Sequence, residues 1–381
     1  MYHIATLNNI SSAGLQQFDE KYTIDEHLAG AAGILVRSQD MHSIAFDPAL
    51  LAIARAGAGV NNIPLDTCAD QGIVVFNTPG ANANAVKELV ISALLFSARN
   101  IPEAVSWTNG LTENIGPAVE AGKKQFAGTE IMGKTLGIIG MGAIGAMVAS
   151  AAKALGMHVI GYDPYLSVTG ALAIEPGIPL YQDLSRMLPL CDVVTIHTPY
   201  MESTRESINA DLFSAMNEGT ILLNFARDKL IQEDDLLEAM ERGIIAKYVT
   251  DFPTEKLHGK PGIISIPHLG ASTVEAEENC ARMAAEEIMD YLENGNITNS
   301  VNFPSVSLGP MRDEDRVAIL TRGVDDPAAL LAELLADQSV NAIAGGTRGD
   351  YGYALASTLS ILEEVPSAPG LLRARIITAE E

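Results

Sequence analysis

The chain has 381 residues, of which 24 are Lys or Arg and 48 are Asp or Glu, so its formal net charge is −24. That length predicts about two or three domains, and an apolar fraction of 48% is ordinary for a globular protein. The negative charge argues against nucleic acid or an anionic membrane as a partner, because both carry charge of the same sign. An anionic substrate would therefore need local cations at its site.

The cysteines, Cys68, Cys191 and Cys280, are odd in number and far apart, which predicts neither a disulfide framework nor a metal site. We interpret them as reduced thiols of a cytoplasmic protein. The N-terminus lacks a basic segment followed by an apolar run, so no signal peptide is predicted. The uncharged stretch Thr135–Ala152 contains four glycines and is interpreted as strand, turn and helix rather than as a membrane span.

Short apolar runs alternate with amphipathic segments along most of the chain. The predicted strands are His3–Leu7, Gly33–Val36, Leu51–Arg55, Ile73–Phe76, Leu136–Ile139, His158–Tyr162, Val193–His197, Ile221–Asn224 and Ala246–Asp251. The predicted helices are Val86–Arg99, Ile144–Leu155, Asp183–Leu188, Asp234–Arg242 and Ser272–Asn294. Such alternation is typical of an α/β fold in which helices cover both faces of parallel sheets.

The C-terminal part of the sequence changes in character. The segment Ile297–Pro310 contains prolines, serines and asparagines without a clear period, and we interpret it as a linker. The tail that follows has the order βαββαβ, which is typical of a ferredoxin-like unit. Its elements are predicted at Val317–Thr321, Ala328–Leu335, Val340–Ala344, Tyr351–Ala356, Leu359–Glu364 and Leu371–Ile377.

A G-x-G-x-x-G motif lies between a predicted strand and a predicted helix. The glycines permit a tight turn and the close approach of a pyrophosphate, and the helix N-terminus offers free N–H groups to that anion. The predicted cofactor contacts are Gly140, Gly142, Ala143, Ile144 and Gly145. Asp163 follows the next strand, where a carboxylate accepts hydrogen bonds from ribose hydroxyls and repels a 2′-phosphate. The sequence therefore predicts NAD rather than NADP as the cofactor.

Several motifs in chain order, the glycine turn among them, resemble the D-isomer-specific 2-hydroxyacid dehydrogenase family. The others are Arg55–Ile63, Asn77–Asn82, His197–Pro199, Asn224–Arg227, Phe252–Glu255 and Pro267–Thr273. The resemblance implies a Rossmann NAD-binding domain inserted in a flavodoxin-like substrate domain, followed by an ACT-like regulatory domain. It implies a substrate domain at residues 1–98 and 268–300, an NAD domain at 99–267 and an ACT-like domain at 312–381. The active site would lie in the cleft between the first two.

By this resemblance the catalytic residues are Arg227, Glu255 and His268. The guanidinium would clamp the substrate carboxylate, and the imidazole would accept the hydroxyl proton. A carboxylate beside the imidazole favours its protonated form and fixes its tautomer. Without the family match, the histidine would be interpreted as structural and the arginine as a surface residue. The family usually has Asp where this chain has Thr250, so either Asp251 or Thr250 would contact the nicotinamide amide.

The resemblance assigns further contacts by position. Cofactor contacts are Asn82, His197, Thr198, Pro199, Ala226, Asp251 and Gly270. Substrate contacts are Arg37, Ser38, Ala58, Gly59, Val60 and Lys124. Arg37 and Lys124 would supply the local cations that a substrate phosphate needs. The alternatives are a surface salt bridge for Arg37 and a solvated loop for Lys124.

The activity implied is NAD-dependent oxidation of 3-phospho-D-glycerate to 3-phosphooxypyruvate, the first step of the phosphorylated route of serine biosynthesis. An alternative within the enzyme class is reduction of another 2-oxo acid, such as glyoxylate or hydroxypyruvate. An alternative outside it is an NAD-sensing co-regulator scaffold. The resemblance also implies a homodimer or homotetramer and a small-molecule effector at the ACT-like domain. The stretch Leu320–Val324 lacks the His and Asn with which serine-sensing relatives bind, so an oligomerisation module is the alternative for this tail.

Overall fold

The computed structural model describes residues 1–359 and 363–379. The chain divides into two compact units. The first unit contains Met1–Asn82 and Val274–Glu381, and the second unit contains Ala83–Thr273. The domain boundaries that the resemblance implies remain predictions.

The described part of the chain contains strands, α-helices and short 3₁₀ turns. The strands are β1 Tyr2–Leu7, β2 Tyr22–Asp25, β3 Gly33–Val36, β4 Ala52–Arg55, β5 Val74–Asn77, β6 Thr135–Ile139, β7 His158–Tyr162, β8 Leu180–Tyr181, β9 Val193–Ile196, β10 Thr220–Asn224, β11 Ile245–Thr250, β12 Ile263–Ser265, β13 Asp315–Arg322, β14 Val340–Arg348, β15 Tyr351–Thr358 and β16 Leu371–Ile377. The helices are α1 Ser12–Leu15, α2 Leu65–Asp70, α3 Ala83–Ala98, α4 Ile101–Asn109, α5 Ile115–Gly122, α6 Ala143–Ala154, α7 Val168–Ala173, α8 Leu184–Met187, α9 Ala210–Ser214, α10 Glu233–Glu241, α11 Val274–Asn294 and α12 Pro327–Leu334. The 3₁₀ turns are Lys123–Phe126, Leu188–Leu190, Glu202–Thr204 and Asp228–Leu230.

Two parallel sheets confirm the predicted α/β class. The sheet of the first unit has the order β2-β1-β3-β4-β5, which is the flavodoxin-like order. The sheet of the second unit has the order β12-β11-β10-β9-β6-β7-β8, a Rossmann order extended by β12. Strands β3 and β9 are buried along their whole length. Continuous apolar strands are typical of parallel sheets that are covered on both faces.

The tail forms a four-stranded antiparallel sheet with the order β14-β15-β13-β16, which is the ferredoxin-like order of an ACT-like domain. Helix α12 begins at Pro327, one residue before its predicted start, because the side chain of Asp326 accepts a hydrogen bond from the amide of Ala329 and Pro327 occupies the first turn. Strand β14 continues to Arg348, beyond its predicted end. Of the predicted helix Leu359–Glu364, residues 360–362 lie outside the described residues.

One face of the tail sheet is part of the main core of the first unit. Leu320 and Tyr353 from the tail share that core with Ile288 and Tyr291 from helix α11. The Arg375 guanidinium donates to the carbonyl oxygens of Tyr291 at 3.2 Å and of Leu292 at 3.0 Å. These carbonyls lie in the last turn of α11. Carbonyl oxygens there have no hydrogen-bond partner within the helix, and both they and the helix dipole favour a cation.

The prediction of a linker at Ile297–Pro310 is wrong. Ile297 and Phe303 are fully buried, and Ile297 forms a β-bridge with Val306. The Asn302 side chain accepts a hydrogen bond from the amide of Val75 at 2.9 Å and donates one to the carbonyl of Ile73 at 2.9 Å. The segment therefore satisfies backbone groups next to β5, the edge strand of the first sheet, through a side chain. Its polar residues Ser300 and Asn302 are buried, whereas Thr298, Ser305 and Ser307 are exposed.

Two further properties follow from the described residues. None of the helices among them combines the length and apolar character that crossing a lipid bilayer requires. Within the same residues, no group of three or more His, Cys, Asp or Glu side chains is arranged to hold a metal ion. Cys68, Cys191 and Cys280 are buried free thiols.

Candidate active site

The glycine turn between β6 and α6 has the geometry of an anion cradle. Gly140 has a φ of +96°, and a Cβ there would lie 2.8 Å from the carbonyl carbon of His197. A Cβ on Gly145 would lie 2.0 Å from the carbonyl oxygen of Gly140, whereas one on Gly142 would meet open space. No side chain caps the N-terminus of α6, so the amides of its first turn, which contains Ala143 and Ile144, remain available to a ligand.

The carboxylate of Asp163 lies beside this turn. It follows β7 and accepts hydrogen bonds from the amides of Met141 at 2.9 Å and Tyr165 at 2.9 Å. The pair of bonds fixes the carboxylate at the rim of the cradle. A carboxylate there suits the ribose hydroxyls of NAD and disfavours the 2′-phosphate of NADP. The open cradle and the fixed acid therefore fit a bound dinucleotide.

His197 follows β9 on the other side of the glycine turn. Its Nε2 is 3.0 Å from the hydroxyl of Thr195, and its buried Nδ1 has no hydrogen-bond partner among the described residues. Burial lowers the pKa of His197 to about 3, so the ring is neutral at physiological pH. Thr198 and Pro199 continue this segment, and the Pro199 carbonyl accepts a hydrogen bond from the Thr204 hydroxyl at 2.9 Å. Their predicted contacts with a cofactor remain predictions.

Arg227 is held at the carboxyl end of β10 by a buried asparagine. The Asn224 amide nitrogen donates to the Arg227 carbonyl at 2.9 Å and to the Tyr248 hydroxyl at 3.0 Å. The Asn224 oxygen accepts from the amide of Ala226 at 3.1 Å. This network shapes the loop after the strand, where ligands of α/β proteins bind. The Arg227 guanidinium lies over the ring of Phe252 at 5.5 Å.

The same aromatic ring also contacts His268. The ring centroids of Phe252 and His268 are 4.5 Å apart with an interplanar angle of 45°. The imidazole is exposed at this position, after strand β12. Phe252 therefore contacts both the guanidinium of Arg227 and the imidazole of His268. Sequence reasoning did not identify Phe252 as a site residue, although an aromatic residue directly after a strand end could have indicated one.

The two candidate acids after β11, Asp251 and Glu255, differ in environment. Asp251 is 1% exposed, its Oδ2 accepts a hydrogen bond from the amide of Gly270 at 3.3 Å, and its Oδ1 has no partner among the described residues. Burial raises the pKa of Asp251, and the charges of His268 and Arg227 act against that rise. Glu255 is exposed and forms no hydrogen bond or ion pair with His268 in the described part of the chain. The pairing of Glu255 with His268 remains a prediction.

Thr250 and Asp251, the two candidates for a contact with the nicotinamide amide, differ in their hydrogen bonds. Thr250 ends β11 and is fully buried, and its hydroxyl accepts a hydrogen bond from the amide of Phe252 at 3.0 Å. That hydroxyl is therefore engaged, whereas one oxygen of Asp251 has no protein partner. The contact of either residue with the nicotinamide amide remains a prediction.

In the first unit, the predicted substrate contacts lie at the carboxyl ends of β3 and β4. Arg37 forms an ion pair of 2.8 Å with Glu277, and the Arg55 side chain donates to the Arg37 carbonyl at 3.0 Å. The amide of Ser38 donates to the Asn8 side chain at 3.0 Å. Arg55 is a second cation at this edge that sequence reasoning did not single out, although it opens one of the quoted motifs.

The loop at Ala58, Gly59 and Val60 follows β4. The Asn77 side chain donates to the Ala58 carbonyl at 2.6 Å, which ties this loop to the end of β5. Lys124 is exposed in the 3₁₀ turn Lys123–Phe126 of the second unit. Asn82 is the last residue of the first unit before α3. The substrate and cofactor contacts predicted for these residues remain predictions.

Comparisons with known proteins agree with this geometry. Residues 91–270 match the family model of the D-isomer specific 2-hydroxyacid dehydrogenase NAD binding domain. The chain is 36% identical over 295 residues to D-3-phosphoglycerate dehydrogenase of Methanocaldococcus jannaschii, which covers 75% of this chain and 52% of that protein. It is 34% identical over 309 residues to the Homo sapiens D-3-phosphoglycerate dehydrogenase, covering 77% of this chain and 55% of that protein.

Among solved structures, the chain is similar to NAD⁺-bound 3-phosphoglycerate dehydrogenase of Entamoeba histolytica. The identity is 26% and the TM-score 0.62, and the match covers 79% of this chain and 98% of that one. The chain spans about half the length of the curated relatives it matches.

Proposed function

This chain belongs to the D-isomer specific 2-hydroxyacid dehydrogenase family, with an NAD-binding domain at residues 91–270, and from that premise we propose that it oxidises 3-phospho-D-glycerate to 3-phosphooxypyruvate. One observation carries the proposal. The Arg227 guanidinium and the His268 imidazole contact the same ring of Phe252, at 5.5 Å and 4.5 Å. A carboxylate clamp and a proton acceptor are the groups that oxidation of a 2-hydroxy acid requires.

The chemical steps follow from these groups. Arg227 binds the substrate carboxylate through two parallel hydrogen bonds and polarises the oxygen on C2. His268 accepts the proton of the C2 hydroxyl. Bound NAD supplies the acceptor for the hydride that leaves C2. Removing a general base costs about 10²–10⁴ in rate, so His268→Ala should lower kcat by that factor.

The cofactor contacts form the second part of the proposal. We assign the pyrophosphate to the backbone of the glycine turn and the first turn of α6, and the adenosine ribose to Asp163. The neutral His197 and its neighbours Thr198 and Pro199 are assigned to the wall of that site. Ala226 and Gly270 are assigned to the backbone near the nicotinamide, and Asn82 is assigned a further contact.

We assign the substrate phosphate to Arg37 and Ser38, with backbone contacts from Ala58, Gly59 and Val60 and a further cation from Lys124. Because the protein carries a net charge of −24, a dianionic phosphate needs such local cations. Arg55, which bonds to the Arg37 carbonyl at 3.0 Å, adds a positive charge to this edge of the sheet. A hydrogen bond to a charged group contributes about 1.5–3 kcal/mol, or roughly a tenfold to hundredfold effect on binding.

A second candidate function is reduction of an unphosphorylated 2-oxo acid such as glyoxylate or hydroxypyruvate. The observation that favours it is the ion pair of 2.8 Å between Arg37 and Glu277. A carboxylate at this distance neutralises the guanidinium and repels a phosphate. In this case Arg37 would act as a structural residue.

The two functions are separated by specificity constants. NADH formation is followed by absorbance with 3-phospho-D-glycerate and with D-glycerate, in the wild type and in Arg37→Ala. We expect the substitution to lower kcat/KM for 3-phospho-D-glycerate about tenfold to hundredfold and to leave kcat/KM for D-glycerate nearly unchanged. Arg282→Ala is the matched control, since Arg282 is also paired with a glutamate, Glu278, at 3.0 Å. Equal effects of Arg37→Ala on both substrates would reject phosphate recognition by Arg37.

Assembly and regulation complete the proposal. We propose a homodimer or homotetramer and an effector site in the ACT-like tail. Light scattering gives the oligomeric state, and assays with and without serine test the effector. A wild type that binds NAD but oxidises no 2-hydroxy acid and reduces no 2-oxo acid would favour the co-regulator scaffold.

A further inference from the structure

A cavity of about 260 Å³ lies between helix α11 and the segment that follows it in the first unit. That segment runs antiparallel to the end of β5, where Phe76 forms a β-bridge with Ser300. The amide of Asn77 also donates to the carbonyl of Asn299 at 3.3 Å. These contacts hold the segment along the sheet edge and fix one wall of the cavity. None of the lining residues is among those assigned above to the substrate or the cofactor.

The ionisable side chains that line this cavity are all acidic. They are Glu286, Glu287 and Asp290, which lie close together along α11. No Lys, Arg or His is among the described residues that line the cavity. A cleft whose charges have one sign concentrates ions of the opposite sign. The lining therefore favours a cation and disfavours any ligand with an anionic group.

Two of these acids each have an oxygen without a hydrogen bond from the described residues. Glu287 is 8% exposed; its Oε1 accepts from the Asn299 side chain at 2.6 Å, and its buried Oε2 has no partner. Asp290 accepts both of its hydrogen bonds at Oδ1, from Asn294 at 2.9 Å and from Asn296 at 2.8 Å. The last torsion of an acidic side chain is broad, so a carboxyl can turn an oxygen towards a bound donor. A buried oxygen without a partner is costly until a donor satisfies it.

Two arginines near this segment are engaged by backbone carbonyls. Arg316 is 4% exposed and donates to the carbonyl of Gly309 at 2.8 Å. Its charge also interacts with Asp290, so that acid is partly compensated. Arg348 of β14 is exposed and donates to the carbonyl of Ser300 at 2.9 Å. Neither arginine lines the cavity.

Glu287, in contrast, has no cationic partner in the part of the chain that the structure describes. Burial raises its pKa to about 8, the hydrogen bond from Asn299 acts against that rise, and the like charge of Glu286 adds to it. In the free protein this carboxyl is therefore mostly protonated at neutral pH. A cation that binds at the carboxyl must compete with that proton, because the neutral acid offers it no charge.

The walls of the cavity indicate the kind of cation. Within the described residues, no group of three or more His, Cys, Asp or Glu side chains is arranged to hold a metal ion. A primary ammonium has three N–H donors that can reach separate acceptors, and Glu287 and Asp290 supply such acceptors. Phe76 and Met283 add apolar surface for a short alkyl chain. The cavity volume is roughly eight times the space that one water molecule takes in the liquid, so a chain of a few carbons fits.

We propose that this cavity binds the primary ammonium group of a small aliphatic amine, with Glu287 and Asp290 as its acceptors and the alkyl chain against Phe76 and Met283. On binding, the O–H bond of the Glu287 carboxyl breaks, its proton goes to the solvent, and the carboxylate pairs with the ammonium. An amino acid is excluded, because its own carboxylate would meet the acidic lining. The inference does not depend on the proposed dehydrogenase function, since it concerns binding in the first unit alone.

The test is isothermal titration calorimetry of the full chain with n-butylamine as the probe. The matched compound is 4-aminobutyrate, which has the same chain length and adds a carboxylate. We expect n-butylamine to bind at one site and 4-aminobutyrate to bind about tenfold more weakly or worse. Affinity for n-butylamine should rise by up to about tenfold per pH unit below about pH 8, because ionised Glu287 is the binding form. Titrations in two buffers that are not primary amines should show release of about one proton per amine near neutral pH.

Two variants locate the site. Glu287→Gln keeps an oxygen for Asn299 and should fold, which circular dichroism verifies; it should weaken n-butylamine binding about tenfold or more and abolish proton release. Glu275→Gln changes an exposed residue of α11 outside the cavity and should behave like the wild type.

Four results would overturn the proposal. They are the absence of saturable n-butylamine binding to the wild type, equal affinity of the wild type and Glu287→Gln, binding without proton release, and equal affinity for 4-aminobutyrate. Magnesium chloride is titrated as a further comparison. Tighter binding of Mg²⁺ than of n-butylamine at the same carboxyl would show an inorganic cation site and would also contradict the assignment to an amine.

Discussion

Replacing Glu287 with glutamine should stabilise the first unit at alkaline pH and have little effect under acidic conditions. Glu287 lies on α11 and is 8% exposed. Its Oε1 accepts a hydrogen bond from the Asn299 side chain at 2.6 Å, and its Oε2 is buried without a partner in the described part of the chain. Burial raises the pKa of Glu287 from an ordinary 4.5 to about 8, against the effect of the Asn299 bond.

The magnitude follows from proton linkage. The folded protein binds a proton at Glu287 more tightly than the unfolded chain does. Proton binding at Glu287 therefore adds to the free energy of unfolding; this contribution is fully present below about pH 4.5 and is lost as the pH rises through about 8. The two pKa values differ by about 3.5 pH units, and each unit corresponds to about 1.4 kcal/mol. Ionising Glu287 in the folded state therefore costs roughly 5 kcal/mol or less, because solvent and local relaxation reduce the penalty.

The Glu287→Gln variant removes this ionisation and retains an oxygen for Asn299. Hydrogen exchange in the peptides of α11, corrected for intrinsic exchange rates, gives the local free energy of opening. In the wild type it should fall by a few kcal/mol between about pH 5 and pH 8, and in the variant it should be nearly constant. Glu275→Gln, which changes an exposed residue on the same helix that does not contribute to the pKa shift of Glu287, is the matched control and should behave like the wild type. An equal pH dependence in Glu287→Gln and the wild type would refute the reasoning.

Three further substitutions test other parts of the structure. Gly140→Ala should weaken NADH binding at least about tenfold, because φ is +96° and the new Cβ would lie 2.8 Å from His197; unchanged NADH fluorescence titrations would contradict this. Asp163→Ala should lower the ratio of kcat/KM with NAD to that with NADP by about tenfold or more, and an unaltered ratio would show that the carboxylate does not select the cofactor. Arg375→Ala removes a cation 4.6 Å from the ring of Tyr291 and its bonds to the end of α11. It should destabilise docking of the tail by about 1–3 kcal/mol. Limited proteolysis should then cleave the tail faster in the variant than in the wild type, and equal cleavage rates would contradict the prediction.

The parts of the fold that the sequence predicts are those whose signal is local. Strands such as β3 and β9 are short runs of buried apolar residues, which the sequence displays directly. The glycine turn follows another such run, β6, and is identified by its motif. Strand β2 is missing from the prediction because only Tyr22 of its four residues is buried. The segment at 297–310 could not be predicted as part of the core, because the bonds of Asn302 to Ile73 and Val75 join residues more than two hundred positions apart.

In the candidate site, too, some features can be predicted from the sequence and others only from the folded chain. The family resemblance names Arg227 and His268, but only the folded chain shows that the ring of Phe252 contacts both. The family resemblance pairs His268 with Glu255, and the folded chain exposes Glu255 and buries Asp251. These burial differences depend on the conformation of the segment after β11, which residue order alone does not specify.

The measurement that tests the central claim most directly is transfer of the C2 hydrogen. The wild-type protein is incubated with NAD and 3-phospho-D-glycerate that carries deuterium at C2, and the reduced cofactor is analysed by mass spectrometry. A D-specific dehydrogenase should produce NADH that contains one deuterium per turnover, with none released to water and no reaction of the L isomer. Unlabelled NADH, deuterium in the solvent, or no reduced cofactor at all would contradict the account.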